Sequence, residues 1–110
     1  MRRVIVESPY AGDIVKNEDY ARSCMYDSLR RGEAPFASHL LYTQRGILRD
    51  EVSSEREWGI RAGLAWGEVA EATVVYTDLG ISDGMKRGIQ NAINAVRPVE
   101  YRSLKVGSSG

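Results

Sequence analysis

Short apolar runs alternate along the chain with longer segments in which apolar residues recur at helical spacing. The strongest strand signal is the run 72–77, and shorter apolar or β-branched runs occupy 4–6, 34–42 and 99–101. The three segments between these runs carry apolar or small residues every three or four positions, the period of an amphipathic helix. The pattern therefore predicts the element order β-α-β-α-β-α-β.

Capping residues indicate where the predicted helices begin. Asn17 is expected to cap the first helix through its side-chain oxygen. Ser54 and Glu57 have the Ser-x-x-Glu spacing of a capping box, so the second helix is expected to start there. Ser82 or Asp83 is expected to cap the third helix.

The second predicted helix combines tryptophans with regularly spaced glycines. Gly59, Gly63 and Gly67 recur every four residues, and each lowers helix propensity by about 1 kcal/mol. We expect close packing of this glycine face against the sheet to compensate. Trp58 and Trp66 are expected in the core or in a subunit interface.

This element order favours an α/β fold, a three-layer flavodoxin/Rossmann-like parallel sheet of about four to five strands with helices on both faces. Residues 1–104 are expected to form a single domain, and the glycine- and serine-rich segment 105–110 a flexible tail. Right-handed crossovers place every strand-to-helix loop at one edge of the sheet, where ligands bind near the reversal of strand order. The loops 8–13, 38–51 and 78–85 should therefore converge.

The balance of charge narrows the class of partner. The 110 residues include 15 basic and 15 acidic side chains, and the pI is about 6.6. Such a balance argues against duplex nucleic acid or an anionic membrane as a partner. No apolar stretch approaches the roughly 18 residues of a membrane span, and the N-terminus lacks a signal-peptide core. We therefore expect a cytoplasmic protein whose partners are small polar ligands or protein surfaces.

Cysteine and histidine are too few for a metal site. Cys24 is the single cysteine, which excludes an intramolecular disulfide, and the number of ligands excludes structural zinc. A triad of Ser38, His39 and Asp50 is rejected because adjacent residues of a strand face opposite ways. We expect no metal and no cofactor, and we leave the catalytic residues unassigned.

Several loop residues are candidates for binding a ligand. Asp78 can hydrogen-bond a pair of ribose hydroxyls, and the free amides at 82–85 can receive a phosphate or carboxylate. The alternative is that these residues only shape turns and cap helices. Neither GxGxxG nor GxxxxGK[ST] occurs, so a dinucleotide motif or P-loop is excluded. The candidate ligand-binding residues are Ser8, Pro9, Tyr10, Gly12, Asp13, Ser38, His39, Arg56, Asp78, Ser82, Asp83, Gly84 and Met85.

Parts of the sequence are similar to a known superfamily. The segments 4–13 (VIVESPYAGD) and 82–85 (SDGM), together with Asp78, resemble the nucleoside 2-deoxyribosyltransferase-like superfamily. The runs 34–43 and 63–66 further resemble a small uncharacterised family common in phages and actinobacteria. The likeness covers nearly the whole chain.

The resemblance implies a sheet that binds a nucleoside or nucleotide at its carboxyl edge, usually in a homo-oligomer whose neighbour helps to close the site. In the transferases, a glutamate four residues after the glycine that matches Gly84 attacks the anomeric carbon of the sugar. That position is Gly88 in this chain, and Lys86 and Arg87 beside it have the wrong charge to stabilise an oxocarbenium-like centre. The chain therefore departs from the transferase pattern at the nucleophile.

Three functions remain open from the sequence. The first is binding of a nucleotide or nucleoside-derived molecule, which would sequester a nucleotide signal in the host cytoplasm if the protein serves a phage against host defence. The second is an N-glycosidase or deoxyribosyltransferase in which Glu7, Glu57, Asp78 or Asp83 has taken over the chemistry. The third is a structural protein that serves only assembly.

Overall fold

The computed structural model describes residues 1–104, and the tail expected at 105–110 lies outside the described residues. Strands and helices alternate as the sequence predicts, with one additional short helix. The strands are β1 (Arg2–Glu7), β2 (Glu33–Phe36), β3 (Ala72–Tyr76) and β4 (Val99–Arg102), and the helices are α1 (Ile14–Arg30), α2 (Ser38–Leu41), α3 (Ser53–Gly67) and α4 (Asp83–Asn94).

The four strands form one parallel sheet in the order β2-β1-β3-β4. α1 carries the chain from β1 to β2, whereas α3 and α4 carry it in the opposite direction along the sheet. Right-handed crossovers therefore place α1 on one face and α3 with α4 on the other. This confirms the predicted α/β class, and it puts the reversal of strand order between β1 and β3.

The two faces of the sheet have different roles. Tyr76 faces α1, because its hydroxyl donates a hydrogen bond to the carboxylate of Asp27 at 2.7 Å. Alternation along β1 and β3 turns Ile5, Glu7 and Thr73 toward α3 and α4. The main apolar cluster lies on the α1 face, and its buried members are Val4, Val6, Cys24, Ala37, Ala72, Val74 and Tyr76.

The first helix begins before the position that the sequence suggested. Asp13 caps α1, and its carboxylate accepts a hydrogen bond from the amide of Lys16 at 3.2 Å. The prediction that Asn17 is the cap is therefore wrong. The Asn17 side chain instead donates to the carbonyls of Tyr10 and Ala11, both at 3.0 Å, and so holds the loop that follows β1.

The strand expected over 34–42 is also wrong in its second half. β2 ends at Phe36, and the carbonyl of Ala37 then accepts hydrogen bonds from two successive amides of a helical turn. An apolar run of this length does not distinguish a strand from a helical turn by periodicity alone. Leu40 packs onto the core cluster, and His39 consequently lies on α2 rather than at the end of a strand.

Helix α3, which corresponds to the second of the helices predicted from the sequence, starts without the capping box predicted for it. α3 begins at Ser53, with Val52 at the N-cap position and no side-chain cap, so the assignment of Ser54 and Glu57 is wrong. Glu57 instead forms an ion pair with Arg87 of α4, with N–O distances of 2.6 and 2.9 Å. This pair joins the two helices that flank the reversal of strand order.

The glycine face of α3, rather than its tryptophans, turns inward. Trp58 and Trp66 are 61% and 54% exposed, so the expectation that they lie in the core is wrong. A Cβ on Gly63 would lie 2.7 Å from the side chain of Ser38, and a Cβ on Gly59 would lie 3.3 Å from Leu48. The glycines therefore allow close packing of α3 against α2 and its loop, not against the sheet. No helix within residues 1–104 is long and apolar enough to span a bilayer.

Candidate functional site

A cleft of about 660 Å³ opens between the sheet, α3 and α4 at the carboxyl edge of the strands. Its volume falls within the range of sites that bind small organic ligands. The three predicted loops meet there, because each follows a strand of the same parallel sheet. The predicted residues that line the cleft are Ser8, Tyr10, Ser38, His39, Arg56, Ser82, Asp83, Gly84 and Met85.

Three predicted residues of the first loop and one of the third do not line this cleft. Gly12 has a φ of 100° and shapes the turn before α1, a conformation that favours glycine. Asp13 is the cap of α1, and Pro9 is buried beside it in the loop. These three residues support the loop rather than face the space inside it.

Asp78 is the fourth predicted residue that the structure leaves outside the cleft. Its carboxylate accepts hydrogen bonds from the hydroxyl of Tyr20 at 2.6 Å, the amide of Leu104 at 2.9 Å and the hydroxyl of Ser103. Tyr20 lies on α1, so Asp78 faces the α1 side of the sheet. Its role in contacting ribose hydroxyls stays a prediction, and Asp78 does not line this cleft.

Glu7 occupies the position in the cleft that a side chain at residue 88 would need. It ends β1 and lines the cleft, and a Cβ built on Gly88 would overlap its Oε2 atom. The residue is half-buried at the end of β1. Desolvation by the surrounding protein raises the pKa of Glu7 from 4.5 to about 8, while the charge of Arg97 opposes the shift. Glu7 is therefore largely protonated at neutral pH and can donate a hydrogen bond.

Ser8 and His39 form a polar pair beside Glu7. The Oγ of Ser8 lies 2.7 Å from Nε2 of His39, and the His39 ring meets the Tyr10 ring edge-on with centroids 6.4 Å apart. Burial lowers the pKa of His39 to about 4, so its imidazole is neutral at physiological pH. The pair can both donate and accept a hydrogen bond. Its members are 31 residues apart, so no local motif predicted it.

The mouth of the cleft carries both signs of charge. Ser82 caps α4, as predicted, and its Oγ accepts a hydrogen bond from the amide of Met85 at 3.3 Å. The amide of Ser82 in turn donates to the Sδ of Met85 at 3.3 Å, so two of the amides expected to receive an anion are already bound. Arg56 is exposed at the mouth and forms no ion pair with any residue in 1–104.

Arg97 is a charged residue of the cleft that is not among the candidates predicted from the sequence. It follows α4, lines the cleft and is 9% exposed. Its Nε donates to Oγ1 of Thr73 at 3.0 Å and its Nη1 to the carbonyl of Gly67 at 2.7 Å. No sequence pattern links Arg97 to these partners, because the contacts depend on how α4 ends.

Potential metal ligands do not cluster in the part of the chain that the structure describes. Within residues 1–104, no group of three or more His, Cys, Asp or Glu side chains is placed to hold an ion. The side chains of the cleft include a carboxyl group with a raised pKa, a neutral serine–histidine pair and the arginines Arg56 and Arg97.

Comparisons with known proteins agree with this architecture. The structure is similar to that of the 2-deoxyribosyltransferase from the psychrotolerant bacterium Bacillus psychrosaccharolyticus, with a TM-score of 0.63 and 16% identity over 92% of this chain and 72% of that one. At this identity the similarity establishes the fold alone. A comparison with curated proteins gives no significant match. The family described as domain of unknown function DUF7768 matches residues 2–102. The chain therefore belongs to the DUF7768 family.

Proposed function

We propose that this protein binds a nucleoside or nucleotide in the cleft at the carboxyl edge of its sheet. The observation that carries the proposal is the cleft itself, about 660 Å³ in volume and located where the strand order reverses. Open parallel sheets bind their ligands at this point. The combination of apolar walls with a few convergent polar groups is typical of small-molecule sites.

The distribution of side chains along the cleft suits the parts of a nucleoside. Ile5, Phe36 and Leu64 offer apolar walls for a planar base. The pair of Ser8 and His39 offers hydrogen-bonding partners for sugar hydroxyls. A phosphate, where the ligand has one, would lie toward the exposed guanidinium of Arg56 and the N-terminus of α4.

Gly88 favours binding over covalent chemistry. A glycine cannot act as a nucleophile, so the ligand is expected to leave the cleft chemically unchanged. The finer form of the proposal is that the protein sequesters a nucleotide signal, as a phage protein acting against host defence would. Recovery of intact ligand from the protein after denaturation, analysed by mass spectrometry, tests this form.

Isothermal titration calorimetry with common nucleosides, their 2′-deoxy forms and their 5′-monophosphates tests the binding proposal. At least one compound should bind, and Asn91→Trp should abolish binding, because Asn91 lines the cleft. Asn94→Trp is the matched control, since Asn94 is exposed on the same helix. No binding by any of these compounds, or equal binding by both variants, would contradict the proposal.

Cleavage of an N-glycosidic bond is a second candidate, favoured by the position of Glu7 over Gly88. The carboxyl group of Glu7 would give its proton to the leaving nitrogen of the base, and the electron pair of the C1′–N bond would go to the base. The oxygen of a water molecule would bond to C1′, and its proton would restore the Glu7 carboxyl group. The products are a free base and the sugar.

Chromatographic detection of free base distinguishes this reaction from binding. Glu7→Gln should stop release of base while the nucleoside still binds. Glu18→Gln is the control, because Glu18 lies on α1 and outside the cleft. If no nucleoside is ever cleaved, or if Glu7→Gln cleaves at the wild-type rate, the hydrolase function is excluded.

A homo-oligomer is also proposed, supported by the exposed tryptophans of α3. Trp58 and Trp66 are 61% and 54% exposed, and Val69, which follows the helix, is exposed as well. Large apolar side chains of this kind are enriched in protein interfaces. Multi-angle light scattering should show an oligomer that Trp58→Asp disrupts, and a monomer at all concentrations would contradict it.

A further inference from the structure

Arg97 lies deeper in the cleft than Glu7. It bonds to Thr73, whose register partner in β1 is Ile5, whereas Glu7 pairs with Val75. Two residues along a strand correspond to about 6.6 Å. Arg97 is therefore anchored at the level of Ile5, in the deeper part of the cleft.

The end of α4 holds Arg97 in this position through a strained turn. The amide of Arg97 donates to the carbonyl of Ala92 at 2.8 Å, and the amide of Val96 donates to Ile93 at 3.0 Å. These two bonds make a Schellman motif, in which the residue at the position of Val96 is usually glycine. Val96 has a φ of 56°, which is an outlier for a β-branched residue. The strain is tolerated where the turn directs Arg97 into the cleft.

The guanidinium of Arg97 has N–H groups that form no hydrogen bond within residues 1–104. Its bonds to Thr73 and Gly67 use Nε and one N–H of Nη1, which leaves the other N–H of Nη1 and both of Nη2. No buried side-chain nitrogen or oxygen within residues 1–104 lacks a hydrogen-bond partner, so Nη2, which has no partner among these residues, is not fully buried, and Arg97 lines the cleft. An arginine can offer such N–H groups as a pair to two adjacent acceptor atoms.

The charge of Arg97 is not matched by a carboxylate in contact with it. Among residues 1–104, no carboxylate oxygen lies within ion-pair distance of its guanidinium. Glu7 is the carboxyl group that influences Arg97 most, and burial keeps Glu7 largely protonated at neutral pH. A buried cation without a paired anion is costly, and acceptor atoms of a ligand would relieve this cost.

We infer that Arg97 selects the base, and that the ligand is a 6-oxopurine nucleoside or nucleotide. The inference rests on the proposed binding function and names its ligand class. The O6 and N7 atoms of guanine and hypoxanthine are adjacent acceptors that match the fork of an arginine. Adenine presents an amino group at the position of O6, and an arginine has no acceptor to receive it. Thr73 and Gly67 act as positioning residues, because they fix the direction of the fork.

Calorimetric titration with inosine and with adenosine tests this inference. Wild-type protein should bind inosine about tenfold to one hundredfold more tightly than adenosine, the range expected for one bidentate contact. Arg97→Met should weaken inosine binding to about the level of adenosine binding, and Arg97→Lys should keep only part of the preference because lysine cannot donate as a fork.

Thr73→Val provides a second test that leaves the arginine in place. It removes the oxygen that accepts from Nε and keeps the size of the side chain, so the preference for inosine should fall severalfold. Equal binding of the two nucleosides by the wild type, or an unchanged preference in Arg97→Met, overturns the inference and leaves the binding function intact. If neither nucleoside binds but another does, the role of Arg97 is refuted alone. If no nucleoside or nucleotide binds, both the role of Arg97 and the proposed binding function are refuted.

Discussion

Replacing Glu7 by Gln should stabilise the protein, and the gain should grow with pH. The folded protein keeps Glu7 protonated up to a pKa of about 8, against an ordinary value of 4.5. Between these values the unfolded chain releases the proton and the folded chain retains it. Raising the pH therefore favours unfolding, and the stability that the protonated group allows at low pH is lost as pH rises toward 8. Glutamine has nearly the shape of a protonated glutamate and does not titrate.

The size of the effect follows from the difference between the two pKa values. A difference of about 3.5 units corresponds to at most roughly 5 kcal/mol at high pH. The same linkage gives a gain of less than about 1 kcal/mol at pH 5 and about 4 kcal/mol at pH 8. These values are upper limits, because part of Glu7 is open to solvent in the cleft.

Urea denaturation at pH 5, 6.5 and 8 measures this gain for wild type and Glu7→Gln, with the ligand absent. The free energies of unfolding should separate steadily as pH rises, while Glu18→Gln should follow the wild type throughout. A constant difference between wild type and Glu7→Gln across this range would show that Glu7 titrates near its ordinary pKa. The assignment of a protonated carboxyl group in the cleft would then be wrong.

Three further substitutions test other parts of the structure. Val96→Gly should stabilise the protein by about 1 kcal/mol by relieving the left-handed conformation, and a lower melting temperature in calorimetry would contradict the strain. Gly88→Ala should destabilise the wild type through its overlap with Glu7 but should be nearly neutral in Glu7→Ala; a double-mutant cycle measures this coupling, and additive effects would refute the contact. Tyr20→Phe removes two hydrogen bonds, one donated to the carboxylate of Asp78 and one accepted from its amide, and should cost about 2 kcal/mol in urea denaturation. Tyr20→Phe should leave nucleoside affinity unchanged, whereas a weakened affinity would indicate that Asp78 contributes to ligand binding.

The order of strands and helices could be predicted because the apolar runs are short and distinct. The run at 72–77 is a buried strand over nearly its whole length, and parallel topology follows from the helices between strands. The start of β2 was not predictable, because its first residue, Glu33, is a charged residue in a buried position, which the polarity of the sequence does not indicate. Glu33 is held there by Ser28, Arg2 and Arg102, and the last of these partners is 69 residues away. Local sequence patterns do not predict ion pairs and hydrogen bonds between residues so far apart.

The candidate site was predictable in its location but not in its chemistry. Convergence of three loops follows from topology, whereas the direction of each side chain depends on position along a strand. Asp78 lies two residues beyond Tyr76, so the period of two would have placed it on the α1 face. By the same alternation, Glu7 lies on the face of Ile5 and points into the cleft. Arg97 could not be anticipated, since valine seldom occupies the turn that directs it.

The contact between Glu7 and Gly88 also has a consequence for related sequences. The two positions compete for one volume, so their residues should vary together among members of the family. A relative with a side chain at the position of Gly88 should have a small residue at the position of Glu7, because both cannot occupy the same space. Relatives with the glutamate on the helix would then carry their carboxylate on α4, and relatives like this protein would carry it on β1. Covariation at these two positions would separate family members whose carboxyl group lies on β1 from those whose carboxyl group lies on α4.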